Sequence, residues 1–444
     1  MQNVLWIFLL FIISIPSIFV VGMANQLERV RLDLPGLNLE NGVIHFNNAG
    51  ASPMPSPVLQ RFKDVLDLEQ QIGAYAAADV YRADFEQTRV LAGQLVNAGD
   101  PEKEMALVDS ATTAWMRAFY SIRLKQGDVI LTCEAEYAAN YVAMLQQCKK
   151  HGASIEVVPS RAEDGTVDVS ALEAILSGPL GPRVRAVCIT HVPSNGGLVN
   201  PAQEIGRAIN HSYSGTTPPI YLLDACQSVG QLPVDVQAIQ CDYLSATGRK
   251  YLRGPRGTGF LYARRDVLDE VSQPGGRIVE PPSIDHFAAP WVDSETYALS
   301  STARRFEQWE SNYAGLVALG VALEYALNMD IKGWAWPRIA SLAAALRRRL
   351  ESISPQTRVY DLGSESDGSQ CGIVTFSIDG VAPAAIKKHL IENRMYVAVS
   401  PPSSTLLDSR RRGLSDDGLL RASVSYFNTE EEINKFVNCL AKLL

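Results

Sequence analysis

The chain has no C-x-x-C pair and no histidine or cysteine spacing of the kind that holds a metal ion, so neither a redox dithiol nor a metal site is expected. Its seven cysteines, at 133, 148, 188, 226, 241, 371 and 439, are odd in number and scattered. Several fall inside apolar strand-like runs, which points to reduced thiols and a cytosolic setting rather than a disulfide framework. A basic stripe is also missing. The formal net charge is -8, and the runs RRRL (347–350) and SRRRGL (409–414) are short enough to be solvated helix and loop faces. Nucleic acid is therefore not an expected partner. There is no internal repeat or low-complexity tract. What is present is a chain of 444 residues, 47% of them hydrophobic, long enough for two domains and a substantial core.

Residues 4–24, VLWIFLLFIISIPSIFVVGMA, are almost wholly apolar and long enough to cross a bilayer core of ~30 Å. They read as a membrane anchor, a cleaved signal ending near Gly22-Met23-Ala24, or an artefactual or buried extension. No Lys or Arg precedes the run, as signal peptides usually require, and Arg29 and Arg31 follow it. If the segment is an anchor, those charges keep the body of the protein on the cytosolic side.

Beyond it, apolar β-rich runs recur at MALVDS, DVILTC, SIEVVPS, RAVCITH, IYLLDA, CDYLSA and GTGFLYA, separated by helix-period stretches such as SALEAILS and PAQEIGRAIN. Seven strands with helical crossovers predict an α/β fold: a mostly parallel seven-stranded sheet with helices on both faces and ligand groups at the loops leaving the strands. The stretch 273–300 reads as a long loop. From Arg305 the pattern turns to helices, with a long amphipathic one expected over 315–328 and another over 338–353, followed by CGIVTFSI and MYVAVS. The expected organisation is a hydrophobic segment at 1–24, a large domain over 61–304, and a smaller α+β domain over 305–444 completed by residues 25–60.

The chemistry concentrates in PIYLLDACQSVGQLPVDV (219–236) and CDYLSATGRKYLRGPRGTGFLY (241–262). Asp224 ends one apolar run and Lys250 lies just past the next. Each alone has a bland reading, a strand-end turn former and a solvated surface lysine. Together they supply the protein half of a pyridoxal phosphate site: a carboxylate for a protonated ring nitrogen and an amine that forms a Schiff base. In LVDSATTAWMRAF (107–119), small hydroxyl residues open a helix, where backbone N–H groups and the dipole favour a phosphate; an ordinary N-cap is the alternative.

The order of these motifs resembles the class V aminotransferase superfamily, fold-type I pyridoxal phosphate enzymes such as cysteine desulfurases and isopenicillin N epimerase, from about Phe46 to the C-terminus. The family pattern D-x-x-Q followed by S/T-G-x-K is met by Asp224, Gln227, Thr247, Gly248, Arg249 and Lys250. The resemblance implies that Lys250 carries the cofactor, Asp224 pairs with its ring nitrogen, Gln227 meets the ring hydroxyl oxygen, and Thr247, with Ala111, Thr112 and Thr113, binds the phosphate. Arg249 replaces a histidine common in desulfurases, leaving a phosphate or substrate contact open. Tyr137, in ILTCEAEYAANYVAML (130–145), takes the place of the ring that stacks on the cofactor, with core packing as the alternative. VCITHVPSNGGLVNP (187–201) offers either Ser194 or Asn195 to the ring oxygen, Asn195-Gly196 also reading as a plain turn. Arg421, in LLRASVSYFNTEEEINKF (419–436), would grip a substrate α-carboxylate with its two-pronged donor array.

The resemblance also implies a homodimer and an amino acid or amino-bearing substrate. The reaction is less constrained. The segment in which desulfurases carry a sulfur-accepting cysteine corresponds to about 393–413, NRMYVAVSPPSSTLLDSRRRG, which has none. Class V aminotransferase chemistry is the expectation, with carbon–sulfur lyase (β-elimination) or epimerase activity as the alternatives. A catalytically idle binding module on the same fold is the reading from another class, against which the intact Asp224, Lys250 and Arg421 argue.

Overall fold

The computed structural model describes residues 26–37, 42–271 and 276–444. The apolar stretch 4–24 lies outside these residues. All seven apolar runs form strands of one sheet: β2 (Met105–Val108), β3 (Val129–Cys133), β4 (Ser154–Val158), β5 (Val184–Thr190), β6 (Ile220–Asp224), β7 (Tyr243–Thr247) and β8 (Gly259–Ala263), after a short β1 (Ile44–His45) elsewhere. Their spatial order is β2-β8-β7-β6-β5-β3-β4, parallel throughout except that β8 runs antiparallel to both neighbours.

Alternate residues along these strands enter two separate cores. Leu131, Ile189 and Leu223 pack on one face with Leu172, Ile205 and Leu319 from helices. Ile130, Cys188 and Leu222 pack on the other with Trp115, Phe119 and Met144. Period-two alternation between two buried faces is why the strands read as continuous apolar runs. The chain steps one way from β3 to β4 and the other way from β5 through β6 to β7. The crevice at the carboxyl ends of β3 and β5 is therefore the topological switch point, where open α/β sheets bind ligands.

The C-terminal part adds β9 (Thr357–Val359), β10 (Ile373–Ile378), β11 (Met395–Tyr396), β12 (Ala398–Ser400) and β13 (Leu419–Ser423). Four of them form an antiparallel sheet in the order β12-β13-β10-β9, and β11 pairs in parallel with β1. Phe376, Leu420 and Phe436 make a third core with Leu34, Phe46 and Leu346.

The Tyr313–Leu327 helix packs Leu316, Leu319 and Leu323 against the large sheet, whereas the Trp336–Ile353 helix gives Ile339, Leu342 and Leu346 to the small one. The first of these helices thus packs in a core of the large sheet and the second in that of the small sheet. A helix apolar on nearly every side carries no face pattern to say which sheet it will cover. These two helices meet at 60° and together are long and apolar enough for a bent span, but no single helix among the described residues is.

Candidate active site

Asp224 closes β6, Thr247 closes β7 and Thr190 closes β5, so side chains from three neighbouring strand ends converge at the crevice. One pocket there is lined by Ser110, Ala111, Thr112, Tyr137, Ser194, Asp224, Gln227, Thr247, Arg249 and Lys250, together with Thr190, Val192 and Cys226. Nine of the residues singled out in the sequence are thereby gathered from five segments, with Thr113, Asn195 and Arg421 outside the lining.

The Ala111–Tyr120 helix points its N-terminus at this pocket, capped by the Ser110 hydroxyl, which accepts from Thr113 N at 3.1 Å. Thr113 is thereby part of the cap. The close seating of this helix end depends on Gly259 in β8: a Cβ there would meet Ser110 C at 2.9 Å and Ala111 N at 3.1 Å. The first-turn N–H groups of Ala111 and Thr112 have no acceptor within the helix, the usual basis of an anion site.

Lys250 is buried in the loop after β7. Gly254 N donates to Gly248 O at 2.7 Å and Arg253 N to Lys250 O at 2.9 Å, closing the loop under the lysine. Arg253 is fully buried at a φ of 63°, in the left-handed region. Its guanidinium donates to Tyr426 Oη at 2.8 Å and sits 5.0 Å from the Phe427 ring centroid, so the lysine loop is braced against the small domain. Arg249 donates to Gly50 O, and Ser52 N donates back to Arg249 O at 2.9 Å. Gln227 Nε2 is spent on Ala49 O at 3.0 Å, leaving its buried Oε1 without a partner.

Of the two alternatives in the 187–201 loop, Ser194 lines the pocket, while Asn195 Nδ2 donates to Thr405 Oγ1 at 3.1 Å. Arg421 stands on β13 and reaches across to the large domain, donating from Nη1 to Ser194 O at 3.2 Å. It is 9% exposed, its Nε has no partner, and among the described residues no carboxylate forms an ion pair with it. Burial holds its pKa below the ordinary value, while the Tyr251 and Tyr137 hydroxyls beside it act the other way. A desolvated guanidinium of this kind calls for an anion.

Sequence reasoning missed the groups behind the pocket. Glu136 is buried just before Tyr137, and its carboxylate accepts from Thr190 Oγ1 at 2.5 Å, Tyr137 N at 2.9 Å and Asn140 Nδ2 at 2.9 Å. The only sequence signal was an acid and an amide four apart at the start of a helix. Burial, helped by the Asp224 charge, pushes Glu136 up to about 7. The folded chain therefore binds this proton more tightly than the unfolded one. Its stabilisation is full below about 4.5 and is lost as the pH rises through about 7. In protein free of cofactor, wild type should lose on the order of 3 kcal/mol relative to Glu136→Gln across that window. Denaturant midpoints at several pH values check this, and a flat difference contradicts it.

A buried carboxylate, an amine, a helix N-terminus, an aromatic face and an orphaned amide oxygen suit a flat, ring-nitrogen cofactor bearing a phosphate. Comparison with known proteins agrees. The Aminotransferase class-V family model matches residues 44–436. A probable cysteine desulfurase of Pyrococcus abyssi is 24% identical over 420 residues, covering 94% of this chain and 97% of that protein. The apo cysteine desulfurase of Thermococcus onnurineus NA1 has the same fold, with a TM-score of 0.80 at 22% identity over 94% of this chain and 97% of that one. So does the cystine C–S lyase C-DES in complex with cysteine persulfide, with a TM-score of 0.76 at 24% identity over 89% of this chain and 97% of that one. Since the family match runs from the strand beside the small domain to the last long helix, the chain belongs to the class V aminotransferase family of pyridoxal phosphate-dependent enzymes.

Proposed function

We propose that this enzyme breaks the Cβ–S bond of a cysteine-derived α-amino acid by β-elimination. The observation that carries the proposal is the buried Arg421 guanidinium, which pairs with no carboxylate among the described residues and lies one hydrogen bond from the pocket wall at Ser194. An amino acid placed between Lys250 and Arg421 brings its α-carboxylate to that cation. Asp224 would hold the ring nitrogen of the cofactor, Gln227 its ring oxygen, Tyr137 its face, and Ala111, Thr112 and Thr247 its phosphate. Once bound, the cofactor withdraws electrons from Cα. The Lys250 amine takes the Cα proton, and the Cβ–S pair leaves with the sulfur, which is then protonated. Water completes the balance, giving a thiol, pyruvate and ammonium.

Sulfur transfer to an enzyme thiol is the competing outcome suggested by relatives named cysteine desulfurase. Residues 393–413 hold no cysteine. That segment is also fastened to the large domain, with Asp408 N donating to Glu134 O at 3.1 Å and Arg411 paired to Glu134 at 2.6 Å. A structural neighbour that is a cystine C–S lyase fits the elimination reading. Transamination is the second reading, favoured by the family match itself. A panel of amino acids, thioethers and sulfoxides separates them. Pyruvate with ammonium in equal amounts supports elimination. Alanine means desulfuration, and a keto acid that retains the sulfur means transamination.

Two further readings belong to the same proposal. A homodimer is supported by an exposed aromatic patch in which Tyr75, 73% exposed, and Phe287 both lie against the 51% exposed Trp309, with Trp291, 77% exposed, also on the surface. A monomer mass in sedimentation would remove it. Membrane association through residues 4–24 is supported by their composition alone. Release of the full-length chain by alkaline carbonate would rule it out.

A further inference from the structure

Asn140 bridges two buried acids that come from different parts of the sheet. Its Nδ2 donates to Asp224 Oδ2 at 2.8 Å, at the end of β6, and to Glu136 Oε1 at 2.9 Å, in the turn after β3. The other Asp224 oxygen, Oδ1, accepts from Cys226 N at 2.9 Å. Asn140 is 2% exposed and Glu136 4% exposed. Among the described residues no cation forms an ion pair with Asp224 or Glu136. Asp224 is therefore held by two neutral donors, which fix its rotamer. Behind the amide, Glu136 is itself fixed by Thr190, Tyr137 N and Thr132, the last donating from Oγ1 to Oε2 at 3.1 Å.

We propose that Asn140 and Glu136 are positioning residues for Asp224: the amide sets the carboxylate against the cofactor's ring nitrogen, and the glutamate, where it is ionised, adds a second negative charge that favours the protonated ring. The inference rests on reading Asp224 as the partner of that nitrogen. The titratable groups facing Glu136 are Asp224 on β6, Cys133 on β3 and Cys188 on β5, and burial keeps both thiols protonated. Glu136 is thus the acid behind the ring whose charge changes near neutral pH.

The test compares Asn140→Ala and Glu136→Gln with wild type, all loaded with cofactor. Asn140→Ala should lower kcat per bound cofactor about 10- to 100-fold with KM changed less than about threefold, as for other supports of a directly acting ligand. Glu136→Gln keeps an acceptor for Asn140 and Thr190 but loses the charge. It should abolish the neutral-pH step in the visible absorbance of the lysine-bound cofactor. Should Asn140→Ala fail to fold, Asn140→Ser carries the same expectation. If the variants lose only thermal stability, while kcat per bound cofactor and the absorbance profile stay as in wild type, the residues are structural and the proposal is overturned. Wild type that takes no cofactor overturns the functional reading itself, and this inference with it.

Discussion

Lys250→Ala should abolish turnover and leave the fold intact, with a loss at or beyond the ~10⁴-fold upper end for a positioned acid–base group. Two roles disappear at once: covalent attachment of the cofactor and movement of the Cα proton. The fold should survive because the loop is held through backbone contacts, Arg253 N to Lys250 O and Gly254 N to Gly248 O, which an alanine keeps. On the proposed reading cofactor should still bind through the helix N-terminus and Asp224, so bound cofactor without turnover is the expected phenotype. Single-turnover rates at saturating cofactor check it. Activity near the wild-type level would remove Lys250 from the chemistry.

Arg421 carries the second large effect. Arg421→Ala should cost on the order of 2 to 5 kcal/mol of substrate binding, because the α-carboxylate would be left desolvated with no partner. Arg421→Lys should recover only part of this, since an ammonium offers one compact charge where the guanidinium offers parallel donors. The competing role is structural: Arg421 on β13 holds Ser194 O and so ties the small sheet to the pocket loop. Loss of that tie would lower the melting temperature and weaken all ligands alike. Comparing an amino acid with its decarboxylated amine decides the matter. Wild type should strongly prefer the acid, and the variants should lose that preference while the cofactor absorbance stays unchanged. Equal handling of acid and amine by wild type would leave Arg421 with no carboxylate to hold.

The large sheet was legible because six of its strands are buried on both faces, which writes an apolar run into the sequence at each place, while the edge strand β4, with Glu156 exposed, keeps enough apolar residues to read as a strand. Asp224, Thr247 and Lys250 were legible for the same reason, standing where such runs stop. What lies between segments was not. The Asn140 to Asp224 bond joins residues 84 apart and leaves no periodic or spacing signal. Glu136 carries no sequence signal beyond being an acid near a helix start, although burial pushes it up to about 7. Arg253 carries no sequence signal of its own, yet it is fully buried among Tyr325, Tyr426 and Phe427. Ser194 lines the pocket while Asn195 donates to Thr405, a partner more than 200 positions away that no local pattern announces.

The central claim is that the cofactor is carried on Lys250 in the pocket at the ends of β5, β6 and β7. Borohydride reduction of cofactor-loaded protein, followed by mass analysis of its peptides, tests this most directly. The account predicts a stable pyridoxyl phosphate adduct on the peptide containing Lys250, with none in Lys250→Ala. An adduct on another lysine, or no adduct from protein saturated with cofactor, would contradict it.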